Sequence, residues 1–194
     1  MLLRLHGDKM ATIFISGSIS IKKIDGAVLS RIDCIIEKNF NIIVGDADGI
    51  DLLIQKYLLE KKYSNVCIYC SGDSSDIRNN IGDWPIISVQ TKSPKGTRDF
   101  YTAKDIQMSK DADYGLMIWN KKSPGTLSNV VEMIKQNKKS RVFLTKEKQF
   151  IRINEPENVH HLIQLMDIKS IKEADNKIKL SSKLNDLMSP ELPF

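Results

Sequence analysis

The chain has 194 residues, 41% hydrophobic and 27% charged, a balance that excludes wholesale disorder and suits one α/β domain with a short appendage. No stretch approaches the length of a membrane span, and residues 1–8 lack an apolar core long enough for a signal peptide. A cytoplasmic protein with no membrane partner is therefore expected. The net charge of +5 permits a polyanionic partner without demanding one, because the lysines are spread along the sequence.

Strand-like and helix-like segments alternate from about residue 11 to 145 with no internal repeat, which predicts a Rossmann-like, doubly wound, mostly parallel sheet with helices on both faces. A strand over 12–16 is followed by a helix over 26–38, with Val28, Leu29, Ile32, Ile35 and Ile36 at helical spacing. Next come a strand over 41–44, a helix over 51–62 and a strand over 66–70. Residues 71–83, rich in Ser, Asp, Asn and Gly, predict a loop with at most a turn of helix. A strand over 86–89, a helix over 98–111, a strand over 116–119, a helix over 127–137 and a strand over 141–144 complete the unit. Residues 150–153 predict an edge strand, and Pro156 with Val159, Leu162, Ile163 and Met166 predicts a further amphipathic helix. The division expected is a nucleotide-binding domain over 1–150 and a helical extension over 151–194. Leu180, Leu184, Leu187 and Met188 are only loosely periodic. That tail is read either as a packing helix, at a subunit contact of a homo-oligomer, or as partly disordered, ending in Pro190 and Pro193.

Cys34, Cys67 and Cys70 imply no disulfide framework. Cys67 and Cys70 have the CxxC spacing, but positions three apart in a strand point to opposite faces, and no second pair completes a tetrahedral site. Two buried thiols are expected, with no metal and no cofactor.

The chemistry is expected where apolar strands end in glycine-bearing polar turns. In a parallel sheet such turns gather at the carboxyl ends of the strands, where glycine lets backbone approach a ligand and helix N-termini attract anions. Ser16-Gly17-Ser18 is the first such turn, suited to a phosphate or a ribose. The second runs from Gly45 through Gly49 to Asp51. Its carboxylates Asp46, Asp48 and Asp51 would repel a phosphate but suit ribose hydroxyls or general acid/base work, with helix capping by Asp48 or Asp51 as the bland alternative. A calcium loop is excluded because no distal Glu follows at the required spacing. Thr97 is expected to cap the helix that begins at Arg98, a cation set against the dipole, with Asp105 and Met108 on the same face. Pro124-Gly125-Thr126 predicts another helix start, with Thr126 as N-cap and Asn129 at the third helical position.

In their order and spacing these elements resemble the SLOG superfamily, which includes Smf/DprA, LOG-type and YspA-like proteins. The resemblance covers roughly residues 11–145. It rests on Ser16-Gly17-Ser18, the segment from Gly45 through Asp46, Ala47, Asp48, Gly49 and Ile50 to Asp51, the helix carrying Arg98, Asp105, Met108 and Ala112-Asp113, and Gly125-Thr126. It implies a nucleotide or nucleotide-derived ligand at the Gly17, Gly45 and Gly125 turns, bound by a sensor or processing protein. It also implies an alternative, an N-glycosidase or deoxyribosyltransferase-like enzyme using Asp46, Asp48, Asp51 or Asp105. A third reading, from DprA-like relatives, is an accessory protein that binds single-stranded DNA. LOG-type members carry Pro-Gly-Gly-x-Gly-Thr-x-x-Glu. Here Ser123-Pro124-Gly125-Thr126-Leu127-Ser128-Asn129 lacks the double glycine and has Asn129 in place of the Glu. An amide can neither act as a base nor stabilise an oxocarbenium ion as a carboxylate does, so LOG-type hydrolysis through this residue is not expected.

Overall fold

Side chains that alternate along each strand divide between two cores. Ile13, Ile15, Ile42, Val44, Val66, Ile68, Leu116 and Ile118 point to one side, and Phe14, Ile43, Tyr69, Met117 and Trp119 to the other. The structure, a computed structural model, describes residues 10–189. The opening segment read for a leader, and Pro190 and Pro193, lie outside them.

The element order is β1 (Thr12–Gly17), α1 (Gly26–Glu37), β2 (Asn41–Gly45), α2 (Ile50–Glu60), β3 (Val66–Ser71), β4 (Ile86–Val89), α3 (Arg98–Asp111), β5 (Tyr114–Trp119), α4 (Pro124–Lys135), β6 (Lys139–Leu144), β7 (Gln149–Ile153), α5 (Pro156–Gln164), α6 (Ile168–Ile178) and α7 (Leu180–Met188). A single 3-10 turn, Ser74–Asp76, interrupts the polar loop after β3. The strands form one seven-stranded sheet in the order β4-β3-β2-β1-β5-β6-β7. All pairings are parallel except that of β6 with β7, which is antiparallel. The α/β, Rossmann-like expectation therefore holds. Helices α1 and α2 cover one face, and α3 and α4 the other, where the C-terminal helices join them.

The tail is more regular than its sequence suggested. Val159, Leu162, Met166, Ala174, Ile178 and Leu180 are buried in the same core as Trp119 and Leu127, and Leu184 and Leu187 pack against it. Lys179, at φ 51°, breaks the run into two short helices, which is why no single helical period was visible. Met188 stays 53% exposed.

The chain leaves β1 toward β2, β3 and β4, then returns by α3 to place β5 on the other side of β1. That reversal opens a crevice at the carboxyl ends of β1 and β5. Long-range bonds fix the two strands there and at their amino ends. The Thr12 N–H donates to the Asp113 carboxylate at 2.8 Å, and the Ser18 N–H to the Ile118 carbonyl at 3.0 Å. The Ala112-Asp113 pair thus joins β5 to β1 rather than facing the crevice.

Candidate functional site

Gly17 ends β1 where a side chain has no room: a Cβ there would lie 2.6 Å from the Ile118 carbonyl oxygen and 2.7 Å from Ile50. The neighbouring serines tie β1 to the chain around α4, and Ser18, predicted as a ligand contact, is fully buried and does not line the crevice. Ser16 accepts from the Asn129 amide at 3.0 Å, and Ser18 donates to the Asn120 side-chain oxygen at 3.1 Å. Asn120 in turn accepts the N–H groups of Lys122 and Ser123, while the Trp119 indole donates to the Ser123 carbonyl. This holds the loop before α4 in one shape.

Two corrections concern helix starts. Ser123, not Thr126, caps α4: its hydroxyl accepts from the Thr126 N–H at 3.4 Å, with Pro124 at the first helical position. The helix therefore starts three residues earlier than periodicity suggested, because Pro124 and Gly125 carry no apolar signal. Asn129 consequently falls well inside the helix, buried against Ser16. The Gly17 turn is likewise not a helix N-terminus. Asp25 caps α1 eight residues later, accepting from the Ala27 N–H at 2.9 Å. Thr97 does cap α3, accepting from the Phe100 N–H at 3.3 Å. The starts of α3 and α4 therefore open on the crevice, and Asp51 in the first turn of α2 lines it as well.

The crevice encloses about 320 Å³. Ser16, Gly17, Gly125, Thr126 and Asn129 line one wall, and Arg98, Tyr101, Thr102 and Asp105 the other, with Asp51 and Lys104 at its floor. A Cβ on Gly125 would make only an ordinary contact, 3.9 Å from the Ser123 Oγ, so none of the described residues requires glycine there. Arg98 makes no ion pair among the described residues, although Asp105 lies on its own helix face. Met108, on that same face of the sequence pattern, is buried in the core.

Beneath the crevice lies a buried charge network that the sequence only half revealed. Lys104, 3% exposed, lies 2.8 Å from Asp105 and 3.9 Å from both Asp46 and Asp51. Gly45 makes the approach feasible, since a Cβ there would overlap both the Lys104 ammonium and the Asp51 carboxylate. Arg78, from the polar loop, grips Asp46 with two side-chain bonds at 3.1 and 2.6 Å and its own N–H at 3.1 Å. The Arg78 guanidinium also sits 4.7 Å from the Tyr101 ring centroid.

The acids in this network are not equivalent. Burial opposes the charge on Asp46, but Arg78 and Lys104 outweigh it and hold the carboxyl below its usual value. Asp51 has no guanidinium, and burial pushes it up to about 7 against the pull of Lys104. Burial also opposes the charge on Lys104, yet Asp105, Asp51 and Asp46 together keep its pKa raised. With Asp51 protonated, the two remaining carboxylates balance Lys104 and Arg78.

The other predicted residues have supporting places. Asp48 is exposed, accepts from the Asn79 amide at 3.2 Å and does not line the crevice. Gly49, at φ 71°, caps α2 and presses against the Ile19 backbone; neither Asp48 nor Asp51 makes a side-chain cap there. Glu132, to which the resemblance assigns no role, is taken up by Lys183 of α7 at 2.8 Å. Cys67 and Cys70 are free thiols, the first half-buried and the second buried.

Sequence reasoning missed Lys104 and Arg78. Lys104 had a readable signal, a lone cation between Phe100 and Met108 on an otherwise apolar stripe. Arg78, one cation within a polar loop, had none. Among the described residues no group of three His, Cys, Asp or Glu side chains is placed to hold a metal ion. No helix among them is long and apolar enough to cross a membrane. No protein-family model matches the chain, and no curated protein matches it significantly.

Proposed function

We propose that the crevice binds a nucleotide or a nucleotide derivative, as a sensor or processing protein of the SLOG type. One observation carries the reading: a single cleft at the sheet's reversal point offers anion-binding groups and carboxyl oxygens together. The first turns of α3 and α4, with the unpaired Arg98, supply donors and positive potential for a phosphate. Asp105 and Asp51 supply acceptors for sugar hydroxyls. The volume lies at the small end of ligand pockets, roughly 300–1,000 Å³, which favours a mononucleotide over a dinucleotide. Titration calorimetry with adenosine monophosphate and other nucleoside monophosphates tests this. Saturable binding that weakens in Arg98→Ala is expected, and no heat from any monophosphate at millimolar concentration would overturn it.

A second reading, cleavage of an N-glycosidic bond, is favoured by one specific feature. Asp51, poised near neutrality on the crevice floor beside Asp105, has the protonation behaviour of a general acid. Base release from the same monophosphates, followed by chromatography, separates the two. Turnover abolished in Asp51→Asn would establish the enzyme, and binding without release would leave the sensor.

A further inference from the structure

A second concavity lies at the opposite, amino ends of the strands, outside the crevice and independent of the function proposed for it. It encloses about 510 Å³, between α1 and the amino-end residues of β1, β5 and β6, with Arg152 of β7. Four cations line it, Arg31 from α1, Lys139 and Arg141 from β6, and Arg152 from β7, and no carboxylate does. Phe40 and the 49% exposed Tyr114 form its apolar walls.

The placement of these cations is costly. Arg141 and Arg152 are directly opposed in the antiparallel register, so their side chains leave the same face, and like charges so placed destabilise a sheet. Burial and the guanidinium groups of Arg31 and Arg152 lower the pKa of Arg141. None of the four side chains has an ion pair or a hydrogen bond among the described residues; Arg31 makes only a cation–π contact, 5.7 Å from the Phe150 ring centroid. The Arg31 Nε is enclosed without a partner. Buried polar atoms in native structures are seldom left without a partner. Chance clustering of surface lysines would not give three inward-lining arginines, whose planar forks match phosphate oxygens two at a time.

We infer that this groove is a second anion site, for a compact ligand carrying two or three linked phosphates. The charge count selects the class. A single phosphate ester carries roughly −1.5 to −2, which leaves about half of the four positive charges unmatched, whereas a linked pair or triple approaches balance. The cations converge on one concavity rather than forming a track, which favours a compact anion over a strand of nucleic acid. The polyphosphate group could belong to inorganic polyphosphate or to a nucleoside triphosphate, with Tyr114 available to a base.

Tripolyphosphate titrated calorimetrically into the full-length protein is the test, repeated in Arg98→Ala protein so that the crevice does not contribute. One saturable site is expected in both. Lys139→Gln with Arg152→Gln, two exposed positions whose loss leaves the core intact, should weaken it by about tenfold or more, the effect of losing a charge-assisted bond. Monophosphate binding in the crevice should be unchanged in that variant. Tighter binding of a nucleoside triphosphate than of tripolyphosphate would identify the nucleotide as the source, and equal binding the inorganic chain. Absence of saturable binding, equal affinity for citrate, or displacement by a single-stranded oligonucleotide at lower concentration would overturn the inference.

Discussion

The two ends of the sheet handle charge in opposite ways. At the carboxyl ends, Lys104 and Arg78 are matched by Asp46, Asp51 and Asp105 within the protein, and the cost of burying them is offset by their own contacts. At the amino ends, Arg31, Lys139, Arg141 and Arg152 face one another without a carboxylate. Internal pairing makes a charged cluster part of the folded structure, so removing its shared cation should destabilise the fold. Unpaired clustering is a standing repulsion, so removing a member should relieve it. Stability measurements in the absence of ligand can therefore tell the two apart.

The largest effect should come from Lys104→Met, which keeps the volume and removes the charge. Asp46, Asp105 and the carboxyl of Asp51 would then be left beneath the crevice without their common cation, and breaking a buried pair this way costs about 3–5 kcal/mol. Urea denaturation measures it; a loss below about 1 kcal/mol would mean that the network is wet and loosely coupled.

Asp51 gives the next effect, through pH. Its folded value of about 7 stands above the model-compound value of 3.8, so between these values the folded state holds the proton more tightly than the unfolded chain. Stability from this group is thus lost as pH rises from about 4 to about 7, on the order of a few kcal/mol at about 1.4 kcal/mol per pKa unit. Asp51→Asn should lack that decline and overtake the natural protein above neutrality. Parallel stability curves for the two proteins across that range would refute the assignment. Asp46 works with the opposite sign: its lowered value adds stability at neutral pH that disappears in acid.

Arg98→Ala should weaken monophosphate binding by about 1.5–3 kcal/mol, since a hydrogen bond to a charged group is lost. Its unliganded melting temperature should barely move, because Arg98 has no partner to lose among the described residues. Unchanged affinity in calorimetry would return Arg98 to the solvated surface.

The smallest effect, and the sharpest contrast, belongs to Arg152→Gln. Relieving one opposed pair of like charges should stabilise the unliganded protein by about 0.2–1 kcal/mol. A clear loss of stability would show that the amino-end cations are internally compensated, and the contrast between the two ends would fail.

The order of strands and helices was legible because each central strand is an apolar run bounded by turn residues, and because α1 keeps a clear period. Helix α3 begins and ends where expected, at Arg98 and Asp111. Sites built from several elements were harder. The turns at Gly17 and Gly125 could be read as glycine-bearing strand ends, but Gly45 could not be seen to serve Lys104, fifty-nine residues away, rather than a ligand. The cationic groove was invisible for a related reason. Arg31, Arg141 and Arg152 look like ordinary solvated charges until the antiparallel turn of β7 sets two of them opposite each other.

The pairing of β1 with β5 also dates the crevice within the folding reaction. Strands β1 to β4 are joined by local crossovers, whereas the bonds from Thr12 to Asp113, Ser18 to Asn120 and Ser16 to Asn129 each close more than a hundred residues of chain. Such distant contacts carry the greatest loop-closure cost and tend to form late. The ligand cleft would then be absent from the folding transition state, and a bound ligand would act on only one limb of the kinetics. It would slow unfolding in proportion to its affinity and leave the refolding rate untouched, giving the occupied protein a longer lifetime without a faster birth.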